Sequence, residues 1–195
     1  MKLKRFMAFF IDVMIVGFIA EGLASIRVLN PYYDEYLDTQ DKLVEQYKDI
    51  NEDNIKDILL SDNNVNLYRD LSKYSSCSNI ISIVCYVLYF VGFQKWNNNQ
   101  TVGKKLMGIK IVSVTKKDVS VFDYLIRSIV LYNLFFTSLN IWVAFNFNGN
   151  MFLNLVSLFS GLGSLITFVT YLMIVCKKDG RGLHDILGHT KVVSI

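Results

Sequence analysis

An acidic side chain stands inside an otherwise apolar stretch near the start of the chain. The run Arg5-Phe-Met-Ala8-Phe-Phe-Ile-Asp12 places a carboxylate roughly 10 Å along a helix from Arg5 and on nearly the same side. A carboxylate in this setting accepts a proton or binds a cation, and burying it alone costs at least a few kcal/mol. We therefore expect Asp12 to face the interior of a helix bundle, a partner or water instead of lipid.

Three other ionisable residues lie in or beside apolar stretches. Glu21 lies about 180° around the same helix from Asp12 and near its outer end, so it is expected to reach the outer interface. Asp123 and Arg127 are four residues apart, a spacing that favours a local ion pair over a proton relay. All three are secondary candidates for an ion- or proton-binding site.

Other kinds of chemistry have weaker support in the sequence. His184 and His189 flank Asp185, but two histidines and one acid on a short tail are weak evidence for a metal site. No Gly-rich phosphate loop, nucleophile elbow or HExxH motif is present, so the sequence gives no positive case for an enzyme, and we expect no cofactor and no bound metal. The net charge of +3 is too small to favour a nucleic-acid partner.

Charge is strongly segregated along the chain. Charged residues make up 19% of the sequence, yet none occurs from Ser128 to Cys176, a run far longer than the roughly 20 residues that cross a bilayer. The polar cluster Asn146–Asn150 supplies a turn within it. We predict an all-α membrane protein with four transmembrane helices, at about residues 6–27, 76–96, 122–146 and 151–176.

Lysines and arginines indicate which connections are cytoplasmic. Three precede the first span, six lie from Lys95 to Lys117 and four follow Cys176, whereas the turn between the last two spans has none. This predicts a multi-pass protein of the bacterial cell (plasma) membrane with cytoplasmic N- and C-termini, a cytoplasmic loop at 97–121 and a cytoplasmic tail at 177–195. A cleaved signal peptide is the alternative at the N-terminus, but an acid inside its apolar core disfavours cleavage.

The connection at 28–75 is then extracytoplasmic, and from Arg27 to Lys73 eleven acids outweigh six bases. Apolar residues recur in it at helical spacing, which predicts two or three amphipathic helices, with a solvated loop of nascent helix as an equally weighted alternative. The residues concerned are Tyr36, Leu43, Tyr47, Ile50, Ile55, Ile58 and Leu59, with Asn51 and Asn54 as caps.

The cytoplasmic segments contain two similar β-branched stretches, Lys110–Val114 and Lys191–Ile195. Such residues favour strands, so we predict a short two-stranded cytoplasmic sheet. If the tail folds back beneath the bundle, Asp185 meets Arg5 as a latch or a gate; the alternative is that Arg5 only follows the positive-inside rule. The short stretches 103–107 and 182–187 before the strands are expected to lie in the membrane interface, with their lysines toward anionic headgroups.

Three blocks in chain order resemble the RDD family of membrane proteins, named for one arginine and two aspartates. They are Arg5, Ala8, Ile11 and Asp12; Asn99-Gln-Thr-Val-Gly-Lys-Lys-Leu-Met-Gly-Ile-Lys-Ile-Val112; and Gly182-Leu-His-Asp185-Ile-Leu-Gly-His-Thr190-Lys-Val-Val193. Asp185 stands where the second aspartate of the family is expected. The sequence departs from the family pattern at Asn99 and His189 and in its longer outer loop. The resemblance implies a single membrane domain over 1–195 and a family in which transport is suspected, some members being linked to the exchange of alkali cations for protons.

The expected function is therefore a cation/proton antiporter or a transporter of small solutes. In this interpretation Asp12, assisted by Arg5 and Asp185, exchanges a proton for a monovalent cation within the lipid bilayer, and a homodimer supplies a larger scaffold. The alternative is a non-transporting membrane adaptor or anchor that binds a protein through its acidic outer loop or its basic cytoplasmic face. An enzyme acting on lipid is a third class.

Overall fold

The computed structural model describes residues 1–48, 58 and 61–195 of the 195-residue chain. Its elements, in chain order, are α1 (Lys2–Ala24), α2 (Tyr33–Tyr47), α3 (Asp62–Tyr74), α4 (Ser76–Trp96), α5 (Val102–Leu106), β1 (Ile109–Ser113), α6 (Val121–Leu131), α7 (Leu134–Asn146), α8 (Gly149–Cys176), α9 (Leu183–Leu187) and β2 (Thr190–Ser194). The mainly helical fold expected from the sequence is confirmed.

Within the described residues, α1, α4 and α8 are long and apolar enough to cross a membrane, and α6 with α7 makes a fourth candidate if the pair is counted as one span. Helix α1 shows why these helices suit lipid. Its buried residues recur every fourth position and are mostly small, while large apolar side chains point outward. The buried residues are Ala8, Asp12, Val16, Ala20 and Ala24; the exposed ones include Phe10, Met14 and Phe18.

The predicted continuous helix over 122–146 is wrong, because α6 and α7 meet at an angle of 62°. Asn133 lies between them with a φ of +59°, in the left-handed region that asparagine tolerates better than most residues. Its side chain packs so closely against Gly163 of α8 that a Cβ atom there would lie 2.2 Å from Asn133 Nδ2. Hydrophobicity predicts the length of this segment but not a bend caused by one backbone conformation.

The predicted turn near 146–150 is confirmed. Helix α7 ends at Asn146 and α8 begins at Gly149, whose φ is +53°. Glycine adopts this conformation without the penalty that a Cβ atom brings, so the chain reverses within two non-helical residues.

Helix α4 changes its winding part-way along. Residues Leu88–Phe93 form a π-helical turn between two α-helical parts. Such turns are rare and frequently occur at functional sites, and this one carries Tyr89, which contacts Asp12 of α1.

The two predicted strands pair with each other, as expected. Strands β1 and β2 form an antiparallel sheet in which Ile111 faces Val192. The buried side chains of Ile109, Ile111 and Val192 pack with Ala8 of α1 and Tyr124 of α6. The sheet therefore fixes the chain after α9 against the ends of two candidate membrane helices.

The described part of the segment between α1 and α4 contains two helices, α2 and α3. Val65 of α3 packs with Val143 and Ala144 of α7 and Phe152 of α8, forming a second apolar cluster. Of the predicted helical positions and caps, Ile50, Asn51, Asn54, Ile55 and Leu59 lie outside the described residues.

Candidate functional site

Asp12 lies in the protein interior, as the sequence predicts, and its exposed fraction is zero. Its carboxylate accepts hydrogen bonds from the Tyr89 hydroxyl at 2.8 Å and the Gly103 backbone N–H at 2.8 Å, and a third from the Thr101 hydroxyl. These donors come from α4 and from the start of α5. Asp12 is therefore buried as predicted, but the residues that donate hydrogen bonds to it were not identified from sequence spacing.

Helix α5 is fixed to α1 through this carboxylate. Thr101 is the N-cap of α5, and its hydroxyl accepts the Lys104 N–H while donating to Asp12. Gly103 allows the close approach, since a Cβ atom at that position would lie 2.3 Å from the Ala8 carbonyl oxygen and 2.9 Å from Asp12 Oδ1. Asp12 thus completes the capping of a short helix 90 residues away in sequence.

Lys104 is buried beside Asp12, which corrects the expectation that the lysines of 103–107 face lipid headgroups. Its ammonium donates to Gln94 Oε1 at 2.9 Å and Thr101 Oγ1 at 3.1 Å, and lies 3.7 Å from Asp12 Oδ2. It also lies 5.5 Å from the centre of the Phe90 ring. The adjacent Lys105 is exposed, so the short helix is amphipathic, but one lysine is on its buried face. We call Asp12, Tyr89, Gln94, Thr101, Gly103 and Lys104 the Asp12 cluster.

The second predicted carboxylate, Asp185, is also fully buried. Its Oδ2 accepts from Arg5 Nη2 at 2.5 Å, so the predicted contact between Arg5 and Asp185 is confirmed. The same oxygen accepts the Gly182 N–H at 3.2 Å at the start of α9. Arg5 also donates to the Gly180 carbonyl oxygen. The residues that follow α8 are thereby joined to the first turn of α1.

The interpretation of Asp123 and Arg127 as a local ion pair is wrong. Arg127 donates to Asp185 Oδ1 and, at 3.0 Å, to Thr190 Oγ1. The Asp123 carboxylate instead accepts the Ser120 N–H at 2.9 Å in a capping box at the start of α6. Because Asp185 offers a buried partner, Arg127 turns inward and not along its own helix. We call Arg5, Arg127, Asp185 and Thr190 the Asp185 cluster.

The remaining candidate residues lie outside the two clusters or beside them. Glu21 is exposed, on the side of α1 opposite Asp12. His184 is buried, with Nε2 3.5 Å from Asp185 Oδ1, whereas His189 is exposed. Burial, reinforced by Arg127 and Arg5, holds the pKa of His184 well below its usual value of 6.5, so this imidazole is neutral at pH 7.

The three residues that name the resemblance, Arg5, Asp12 and Asp185, thus lie in two adjoining buried clusters at one end of the bundle. A family model described as the RDD family matches residues 2–189. The chain belongs to the RDD family. No curated protein and no solved structure matches it.

In this RDD protein, the residues that sequence reasoning missed are mostly those that surround Asp12. A signal for two of them was present, since Thr101-Val-Gly-Lys104 lies in the second matched block and a threonine before a short helix indicates an N-cap. The sequence gave no indication that Tyr89 contacts Asp12, because nothing distinguishes this tyrosine from others in apolar helices. Its role depends on how α4 packs against α1.

Lys104 provides a pH-dependent test of the buried cluster. Burial lowers its pKa from 10.5 to about 7, opposed by Asp12 and reinforced by Arg127 and Arg5. Between these two values unfolding takes up a proton, so the free energy of unfolding should rise with pH from about 7 to about 10. Lys104→Met should remove this component, and the melting temperature of the purified protein in detergent, measured across this range, reports it. Parallel pH profiles for the wild type and the variant would contradict the assignment.

Proposed function

We propose that this RDD protein exchanges a monovalent cation for a proton at the Asp12 cluster. The observation that carries the proposal is the set of oxygens around the Lys104 ammonium. A carboxylate, a hydroxyl and an amide oxygen, from Asp12, Thr101 and Gln94, surround one buried positive charge. Hard cations prefer ligands of these oxygen types, so the ammonium occupies a place that suits a small cation.

The exchange conserves charge at the site. Protonated Lys104 neutralises Asp12; when the lysine releases its proton, a monovalent cation takes its place beside the carboxylate, and the reverse step expels the cation. One positive charge leaves for each that arrives, so the buried carboxylate is never left uncompensated, which would be costly in a low-dielectric interior. This refines the sequence-based hypothesis, because Lys104 and not Asp12 carries the exchanged proton.

We further propose that the protein crosses the plasma membrane four times, with α6 and α7 acting as one bent span. Both termini and the α5–β1 segment would then be cytoplasmic, and α2 and α3 extracytoplasmic. The distribution of lysine and arginine supports this orientation. The scaffold is small for alternating access, so a homodimer remains part of the proposal.

Asp12→Asn should abolish cation-dependent proton flux in proteoliposomes, because the amide keeps the shape of the side chain but removes the charge that attracts the cation. The flux is measured with a pH-sensitive dye enclosed in the vesicles, after addition of sodium or potassium outside. Glu21→Gln is the matched control, since it removes one carboxylate from the exposed side of the same helix, and it should leave the flux unchanged.

A non-transporting membrane anchor is the second candidate. It is supported by the donors that already satisfy the Asp12 and Asp185 carboxylates, since such contacts also serve to hold helices together. In that case the wild-type protein shows no flux above protein-free vesicles for any monovalent cation, and Asp12→Asn changes only its stability. Either result would refute the exchange mechanism.

A further inference from the structure

A cavity of about 350 Å³ lies between the first turns of α1, the end of α8 and the sheet. Four cationic side chains contribute to its wall, those of Lys2, Arg5, Lys104 and Arg127. Much of the rest is apolar, including Phe6 and Phe9 of α1 and Ile174 and Val175 of α8. We call this space the basic cavity.

The charge on its wall is not balanced from within. In the part of the chain that the structure describes, no carboxylate lines the basic cavity. Asp12 and Asp185 lie behind the wall, beside the largely buried Arg5, Lys104 and Arg127, and the exposed Asp179 acts on Arg5 from outside the cavity. A surplus positive charge in a low-dielectric space is unfavourable unless an anion compensates it. The cavity is therefore suited to a negatively charged ligand.

Polar atoms without a partner remain at the wall. Among the described residues, Arg127 donates side-chain hydrogen bonds only from Nη1, which leaves Nε and Nη2 for a ligand. A guanidinium is well matched to phosphate oxygens. His184 lines the same cavity, is 2% exposed, and has no hydrogen-bond partner for Nδ1 among the described residues. A buried ring nitrogen without a partner is uncommon in folded proteins.

The apolar side of the cavity points to a ligand that also carries a chain. Phe6 and Val175, at the rim, are 59% and 62% exposed and belong to two candidate membrane helices, so the cavity opens between α1 and α8 where lipid is expected. Lys2 spans this rim and donates to the Val175 carbonyl oxygen at 2.5 Å. A volume near the lower end of the usual range for small-molecule pockets fits a headgroup and the first part of a chain.

We propose that the basic cavity binds the phosphate of an acidic phospholipid drawn from the adjacent leaflet, with Arg127 and Lys2 as its cationic contacts and an acyl chain leaving between α1 and α8. This binding does not require cation exchange and would hold equally for a membrane anchor. Because Lys104 lines the cavity and also belongs to the Asp12 cluster, a bound phosphate lies where it favours the protonated lysine.

The test uses the full-length protein in detergent, with phosphatidylglycerol and phosphatidylcholine of the same chain length titrated in and bound lipid counted by native mass spectrometry. Phosphatidylglycerol should bind in preference to phosphatidylcholine. Lys2→Gln should weaken its binding about fivefold, the effect expected for one lysine near an anionic headgroup. Lys4→Gln is the matched control, since Lys4 is exposed on the same helix turn but does not line the cavity, and it should leave the binding unchanged.

A second pair of variants tests the cavity itself. Ile174→Trp should fill it and remove the bound phosphatidylglycerol, whereas Leu172→Trp, at a 45% exposed position outside the cavity, should not. Equal binding of the two lipids, or equal loss in Lys2→Gln and Lys4→Gln, would overturn the proposal in favour of general surface charge. Displacement of the lipid by inorganic phosphate at matched concentration would overturn it in favour of a soluble anion.

Discussion

Asp185→Asn is expected to destabilise the protein by about 3–5 kcal/mol, the cost of removing one partner from a buried ion pair. The Asp185 carboxylate accepts from Arg5 and from Arg127, which are both largely buried. Asparagine has nearly the same shape, so the loss would arise from two guanidinium groups left without a countercharge. Urea or thermal unfolding in detergent, followed by circular dichroism, measures the change.

Asp34→Asn supplies the control for this prediction. Asp34 lies in the first turn of α2, pairs with Arg27 at 2.9 Å and is exposed. Exposed ion pairs contribute little to stability, so this variant should unfold like the wild type. If the two variants behave alike, the Asp185 cluster does not hold the fold together.

Gly103→Ala should be comparably damaging, although it adds only one methyl group. The new Cβ atom would lie 2.3 Å from the Ala8 carbonyl oxygen and 2.9 Å from Asp12 Oδ1, so α5 must move away from α1 and the Gly103 N–H loses its carboxylate acceptor. Overpacking costs about 1–3 kcal/mol and a hydrogen bond to a charged group about 1.5–3 kcal/mol, which together predict a loss of about 3 kcal/mol or more. Unfolding in detergent measures it.

Gly17→Ala is the appropriate comparison, because a Cβ atom at Gly17 would meet nothing within 4 Å. Gly17 lies in the middle of α1, where alanine has the higher helix propensity, so no destabilisation is expected. A Gly103→Ala protein as stable as Gly17→Ala would show that α5 is not held tightly against Asp12.

The sequence predicted those parts of the fold that follow from local pattern. An acidic side chain in an apolar helix needs polar or charged groups around it, so the sequence predicted that Asp12 faces the protein interior. The two β-branched stretches predicted the sheet. The contact between Arg5 and Asp185 followed from the sheet, since the pairing of β1 with β2 carries α9 to the start of α1.

The features that the sequence did not predict depend on contacts between residues far apart in the chain or on the backbone conformation of a single residue. The residues that donate hydrogen bonds to Asp12 lie 77 to 91 residues away, and no local pattern selects Tyr89 or Lys104 from similar residues nearby. Arg127 shows the limit of a spacing rule, because four-residue separation from Asp123 favours a weak surface pair, whereas a buried carboxylate on another element offers a stronger contact. Hydropathy does not reveal the bend at Asn133, because the bend changes the direction of the helix and not the polarity of its residues.

The sequence separation within the Asp185 cluster constrains the order of assembly. Arg5 and Asp185 are 180 residues apart, and synthesis proceeds from the first residue onward. Arg5 and Arg127 therefore emerge from the ribosome well before their shared countercharge exists. The contacts of the Asp12 cluster join residues 12 to 104 and can form before Asp185 is synthesised. The pairing of Arg5 and Arg127 with Asp185 can form only after α8 is complete.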